Sequence, residues 1–319
     1  MTRAFTLLFM GLSLSLGLFP TNSHAEKLPL MLSWSYPFPT HKIALNDSLQ
    51  INYVDEGQGP HTLIFVHGLG SNLKAWQKNI AELRKSYRCI ALDLPNYGQS
   101  SQGDYPFGMS YFAEVIKSFI DKLNLEKVVL VGHSMGGQTA IHFALKHPER
   151  LSHLILMAPA GFETFTPQQV QWFEQVYTKA FVQSATEEQI RKNFQLNFYA
   201  MPADAQFMIS DRLEMRADQA AYESYCIMIP KCVIGMLKEP VFSTLAKIKT
   251  PSLVFFGEED QLIPNSFLNG HLKTLNVAQS GVEQMPAAEL VMVPEAGHFV
   301  QWEGTALIHE KVRDFLDKE

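Results

Sequence analysis

Cysteine is scarce in this chain, with three among 319 residues. An odd number leaves at least one thiol unpaired within the chain. Cys89 lies in a predicted strand, where we expect a buried thiol. Cys226 and Cys232 are close enough in sequence to form a disulfide, although two separate buried thiols fit the spacing equally well. Since no histidine stands near them at ligand spacing, we predict no zinc site.

Basic runs, internal repeats and low-complexity tracts are also missing. Lys and Arg number 26 against 32 Asp and Glu, which gives a net charge of −6. That balance argues against nucleic acid or an anionic membrane as the main partner. The sequence carries no metal or cofactor motif, so we predict neither. Its length allows one large domain with an insertion.

One apolar run, residues 5–19, stands apart near the N-terminus. Arg3 is the only charge before it, and Ser23-His24-Ala25 resembles a small-x-small cleavage site. This pattern predicts a secretory signal peptide over residues 1–25, and hence a periplasmic or secreted protein. The run is shorter than the about 20 residues that span a bilayer, so we expect no stable membrane span after cleavage. An uncleaved N-terminal anchor is the alternative.

The most informative stretch is Gly132-His133-Ser134-Met135-Gly136, a G-x-S-x-G motif. The apolar residues 128–131 before it predict a buried strand, and residues 139–145 after it predict a helix. A sharp turn between strand and helix would expose the Ser134 hydroxyl at the carboxyl edge of a sheet. The N–H groups at the start of that helix would then point at an oxyanion.

This strand, turn and helix resemble the nucleophile elbow of the α/β-hydrolase fold. The resemblance implies a mostly parallel twisted sheet with helices on both faces and an inserted helical cap. It also gives a role to His67-Gly68-Leu69-Gly70, which follows a predicted strand and resembles the oxyanion loop of that family. The backbone N–H groups of Leu69 and Met135 would form the oxyanion hole.

Two further motifs complete the resemblance. Residues 257–264 resemble the G-x-x-D-x-x-x-P pattern of the family, which places the triad acid at Asp260. Glu258 and Glu259 are alternatives by chemistry, and Glu163 is an alternative by its position after the preceding strand. His298 lies in a G-H-F loop after the last predicted strand, so the order serine, acid, histidine is the one expected for this fold.

The resemblance also divides the chain. Residues 41–160 and 246–319 form the predicted hydrolase core, and residues 161–245 carry helix signals and form the predicted cap. Residues 26–40 predict an extended arm packed on the domain, with a membrane-touching or substrate-touching arm as the alternative. Five apolar side chains of the predicted cap are candidates for an acyl pocket, namely Phe173, Phe207, Met208, Met228 and Met236.

A serine needs a base within reach to become a nucleophile, and the base needs an orienting group. We therefore assign His298 as general base and then acid, oriented by Asp260, in acyl transfer to water through an acyl-enzyme. A serine at position 134 argues against haloalkane dehalogenases and epoxide hydrolases, which would need an aspartate there.

Among serine hydrolases, predicted export and an apolar cap favour a carboxylesterase or lipase-like enzyme for small apolar esters. Carbon–carbon bond hydrolases of aromatic catabolism share the G-H-S-M-G-G run and the cap, but they typically act in the cytoplasm. Proline iminopeptidases and cofactor-free perhydrolases or haloperoxidases are further alternatives. A non-catalytic binding module would not need a base aligned on a serine. The sequence leaves the oligomeric state open.

Overall fold

The computed structural model describes residues 34–318, so the predicted signal peptide and residues 26–33 of the predicted arm lie outside the described residues. Eight strands form one sheet in the order β1-β2-β4-β3-β5-β6-β7-β8. The strands are β1 Thr40–Ala44, β2 Gln50–Glu56, β3 Thr62–Val66, β4 Arg88–Leu92, β5 Val128–His133, β6 Leu151–Met157, β7 Ser252–Gly257 and β8 Ala288–Val293.

Most of this sheet is parallel. Strands β1 and β2 form an antiparallel hairpin, and β2 pairs antiparallel with β4, whereas every pair from β4 to β8 is parallel. All six residues of β5 are buried, as expected for a strand covered on both faces. The strand order reverses at β3, which lies between β4 and β5. In such sheets the ligand crevice lies beyond the carboxyl ends of the strands at this reversal.

Helices cover the sheet. They also form the segment of chain that connects β6 to β7, where the sequence predicts an insertion. The helices are α1 Gln77–Leu83, α2 Met109–Lys122, α3 Met135–Lys146, α4 Pro167–Val176, α5 Lys179–Gln183, α6 Glu187–Gln195, α7 Phe207–Ala217, α8 Gln219–Lys238, α9 Thr274–Val282, α10 Val300–Glu303 and α11 Thr305–Leu316. Between residues 34 and 318, no helix has both the length and the apolar character needed to cross a bilayer.

Local signals place several helix boundaries. Thr166 and Thr186 each cap the N-terminus of a helix. In each case the threonine side chain accepts a hydrogen bond from the backbone N–H of the glutamine three residues later, and the side chain of that glutamine accepts one from the backbone N–H of the threonine, which is a capping box. Two helices follow β8 and the His298 loop, α10 and α11, and the chain turns at Gly304 between them.

The three cysteines are all buried free thiols. Cys226 and Cys232 both lie on α8, where six residues correspond to a rise of about 9 Å. A disulfide needs Cα atoms within about 7 Å, so the structure excludes this bridge and supports the second interpretation of their spacing.

Gly136, in the first turn of α3, is required by close packing. An added Cβ would lie 2.6 Å from the carbonyl oxygen of His67. We expect Gly136→Ala to lower the free energy of unfolding by about 1–3 kcal/mol, as overpacking does in other cores. Urea denaturation measures this value. In an open helical position the same change would stabilise by up to about 1 kcal/mol, so a more stable variant would contradict the predicted clash.

Candidate active site

Ser134 occupies a strained turn between β5 and α3. Its backbone has φ 52° and ψ −116°, a conformation that side chains with a Cβ rarely adopt. Its carbonyl accepts hydrogen bonds from the N–H groups of Gln138 and Ala160, at 3.1 and 3.0 Å, which hold the turn in place. Within residues 128–141, Ser134 alone is partly exposed and the others are buried. The turn therefore presents the serine at the end of the strand.

Helix α3 begins directly after this serine, at Met135. The N–H groups of the first turn of a helix have no acceptor within the helix. The Met135 N–H is thus available beside the serine, where the sequence predicts one oxyanion donor.

His298 and Asp260 form a buried hydrogen-bonded pair. His298 Nδ1 lies 2.8 Å from Asp260 Oδ2, and the two residues are 4% and 7% exposed. The other oxygen of Asp260 accepts from the backbone N–H groups of Leu262 and Ile263, at 2.8 and 3.0 Å. An ionised carboxylate can only accept hydrogen bonds, so the proton of the neutral ring is on Nδ1. The other ring nitrogen, Nε2, is then unprotonated.

The rival carboxylates take other positions. Glu258 and Glu259 are exposed. Glu163 is buried, and its Oε1 accepts from the Asn265 N–H at 2.8 Å and from Asn269 Nδ2 at 2.6 Å. Burial raises the pKa of the Glu163 carboxyl, and the nearby negative charge of Asp260 adds to that shift. The structure thus brings Asp260, and not Glu163, to the His298 ring.

His133, which precedes the serine, connects the turn to the loop that carries His298. Its Nε2 donates to the backbone carbonyl of His298 at 2.9 Å, and the two rings lie 4.9 Å apart. Burial holds the pKa of His133 well below its usual value, so this imidazole is neutral. Sequence reasoning missed this contact. The one signal was a histidine ending an otherwise apolar strand.

The predicted oxyanion loop forms a tight turn against Ser134. The Ser71 N–H donates to the Gly68 carbonyl at 3.3 Å, and Gly70 has φ +65°, which is the pattern of a type II turn. An added Cβ on Gly68 would lie 3.2 Å from the Cβ of Ser134. The loop is therefore packed directly on the serine.

His67 braces this loop from below. The Leu94 N–H donates to His67 Nε2 at 3.1 Å, so the ring proton is on Nδ1, which donates to the Gly68 carbonyl at 2.9 Å. Burial lowers the pKa of His67. In a trans peptide the C=O and the next N–H point in opposite directions. The Leu69 N–H therefore points away from the buried His67 ring.

A cleft that is partly open to solvent lies between the helical insertion and this loop, and Gly70 and Ser71 line it, whereas Ser134 and His298 do not. Three of the five predicted pocket residues line it, namely Phe207, Met208 and Met228. Phe173 packs on Trp172, and neither Phe173 nor Met236 lines this cleft. Charged side chains also line the cleft, among them Asp211 and Arg212, which sequence reasoning did not single out.

No cluster of three or more His, Cys, Asp or Glu side chains is placed to hold a metal ion in the part of the chain that the structure describes.

Comparisons with known proteins agree with this fold. Residues 61–305 match the family model of the α/β hydrolase fold. A 2-hydroxy-6-oxononadienedioate/2-hydroxy-6-oxononatrienedioate hydrolase from Paraburkholderia phymatum is 30% identical over 278 residues, which is 84% of this chain and 91% of that protein.

Two solved structures show the same fold. A probable hydrolytic enzyme from Pseudomonas aeruginosa PAO1 has a TM-score of 0.81 and 22% identity, and the match covers 89% of this chain and 96% of that one. The 2-hydroxy-6-oxo-6-phenylhexa-2,4-dienoate hydrolase from Rhodococcus sp. strain RHA1 has a TM-score of 0.73 and 20% identity, over 89% and 100% of the two chains. At these identities the structural likeness shows the fold alone. With the family model matching most of its length, this chain belongs to the α/β-hydrolase fold family and is a hydrolase.

Proposed function

We propose that this protein is a serine hydrolase with Ser134 as nucleophile and His298 as general base and acid. Asp260 orients the His298 ring, and the N–H groups of Leu69 and Met135 bind the oxyanion. The hydrogen bond of 2.8 Å between His298 Nδ1 and Asp260 Oδ2 carries this proposal, because it leaves Nε2 free to take the serine proton.

The proposed reaction has two halves. The Ser134 hydroxyl gives its proton to His298 Nε2 as its oxygen bonds to the substrate carbonyl carbon. The tetrahedral oxyanion collapses, the leaving group departs with the proton from His298, and an acyl-enzyme remains. Water then attacks the acyl group by the same route and restores the serine. Two preorganised N–H donors facing the oxyanion are worth more in a dry site than in water.

For the substrate, we propose an unsaturated keto acid that is cleaved at a carbon–carbon bond next to its ketone. The support comes from the Paraburkholderia phymatum relative, whose name states such a dienedioate substrate. The cleft adds a second argument, because the polar side chains of Asn72 and Asn96 line it beside the apolar ones. A mixed lining suits a substrate with polar groups better than a plain alkyl ester. Carbon–carbon bond cleavage, which the sequence gives as an alternative, therefore takes precedence over ester hydrolysis.

Ester hydrolysis is the second candidate. The same serine chemistry cleaves both bonds, and Phe207, Met208 and Met228 give the cleft the apolar wall that an acyl chain needs. Export of the protein, which the N-terminal sequence predicts, would also favour esters. That localisation stays a prediction.

A substrate comparison tests the proposal. We expect kcat/KM for a 2-hydroxy-6-oxo-dienoate, followed by loss of its absorbance, to exceed that for any p-nitrophenyl ester from acetyl to palmitoyl by on the order of 100-fold. An equal margin in favour of an ester would make the protein an esterase. Turnover of neither class, with a fluorophosphonate still labelling Ser134, would leave the nucleophile and reject both substrate classes.

A further inference from the structure

Two neighbouring residues of α7, Asp211 and Arg212, bind the core at the predicted oxyanion loop and just after it. Asp211 forms an ion pair with Lys74, 2.6 Å between Oδ2 and Nζ, and both side chains are largely buried. Arg212 Nη2 donates to the backbone carbonyl of Gly70. The helical insertion is thus attached to the core at the loop itself.

The guanidinium of Arg212 is held in one orientation by its surroundings. Its second terminal nitrogen, Nη1, donates to the Tyr225 hydroxyl. The guanidinium carbon, Cζ, lies 4.0 Å from the centre of the Tyr225 ring. Phe194 lies on it as well, at 5.5 Å. A planar guanidinium that is already fixed by one directed bond and by aromatic contacts loses little further freedom when it binds a carbonyl. Arg212 is therefore built to hold Gly70.

The turn that carries Leu69 needs such a restraint. Its closing hydrogen bond, from Ser71 to Gly68, is 3.3 Å, which is longer than the usual 2.7–3.2 Å range for this kind of bond. Glycine at position 70 can adopt many other conformations. His67 holds the Gly68 carbonyl from the core side, and Arg212 holds the Gly70 carbonyl from the insertion side. The Leu69 N–H lies between these two anchored carbonyls.

We propose that Arg212 is a positioning residue for the oxyanion hole, which aligns the Leu69 N–H by binding the Gly70 carbonyl. The oxyanion hole is then complete only when α7 is seated on the core, so closure of the insertion and assembly of the hole are one event. This inference rests on the proposed serine hydrolase function, and it adds a coupling between insertion and loop that the reaction itself does not require.

Hydrogen exchange tests the coupling without any turnover. In the full-length protein, we expect Arg212→Met to speed amide exchange in peptides covering residues 67–74 by about tenfold, because the turn opens more often. Arg216→Met is the matched control, since Arg216 lies one helical turn further along α7 and its guanidinium faces Tyr222 at 6.0 Å. Unchanged exchange in Arg212→Met would overturn the proposal, whatever the enzyme hydrolyses.

Steady-state kinetics test the consequence. We expect kcat of Arg212→Met to fall about tenfold with KM nearly unchanged, because a misaligned oxyanion donor costs less than the 10²–10³ of a deleted one. Arg212→Lys, which keeps one donor for Gly70, should recover part of kcat. A raised KM with unchanged kcat would make Arg212 a substrate-binding residue and overturn the proposal.

A third variant covers the case in which Arg212→Met does not fold, as judged by circular dichroism. Tyr225→Phe removes only the second partner of Arg212, and we expect a smaller loss of kcat, about threefold, with faster exchange of residues 67–74. No change in either quantity would overturn the proposal. An active Ser134→Ala would instead reject the serine hydrolase function and leave the exchange result to decide the coupling.

Discussion

Ser134→Ala is expected to lower kcat by up to about 10⁶-fold on every substrate, as removal of the nucleophile does in other triads. The change deletes one oxygen from a partly exposed side chain and leaves the Cβ, so the tight packing around the turn is retained. Thermal denaturation should therefore match that of the wild type. The residual rate would come from the oxyanion hole and substrate binding alone.

The measurement needs a substrate that the wild type turns over and a check for contaminating enzyme. Labelling by a fluorophosphonate serves as that check, because the variant should lose the label together with the activity. Wild-type activity in Ser134→Ala would refute the assignment of the nucleophile. Loss of both the activity and the thermal unfolding transition would show that the serine supports the fold. Ser134→Cys, whose side chain has a similar shape, would then test the nucleophile.

Asp260→Asn carries the second-largest expected effect, a drop in kcat of about 10⁴-fold. An amide in place of the carboxylate cannot stabilise the imidazolium and favours the wrong tautomer of His298. The hydrogen bond of 2.8 Å between Nδ1 and Oδ2 is the contact that the change alters.

Glu163→Gln is the matched control for that variant. It also replaces a buried carboxylate by an amide, but Glu163 contacts Asn265 and Asn269 and not the histidine ring. We expect its kcat to stay within about tenfold of the wild type. The reverse ranking of the two variants would transfer the role of the acid to Glu163.

The turn at Ser134 could be predicted from sequence because its causes are local. Small residues on both sides of the serine let strand and helix approach, and an added Cβ on Gly132 would overlap the carbonyl of Gly136. The parallel order of the strands then brings the loops after β7 and β8 to the same edge as β5. The resemblance of the loops after β7 and β8 to motifs of the family was sufficient to name Asp260 and His298 as candidates.

The sequence favoured Asp260 over Glu163 by resemblance to the family motif, and the tertiary structure shows how the contacts of the two carboxylates differ. Glu163 and Asp260 follow neighbouring strands, β6 and β7, and both are buried. Their contacts differ. Asn265 and Asn269 donate hydrogen bonds to a Glu163 oxygen, whereas the His298 ring binds Asp260.

The sequence by itself determined the fold family, the elbow and the order of the candidate site residues, because those depend on short motifs and on the periodicity of strands and helices. Only the tertiary structure decided that Asp211 and Arg212 line the cleft, where Lys74 and Gly70 bind them. Periodicity shows that α7 has a polar face but not what lies opposite it. The polar character of the cleft depends on contacts between residues 142 positions apart in the chain, and no local pattern encodes such a contact.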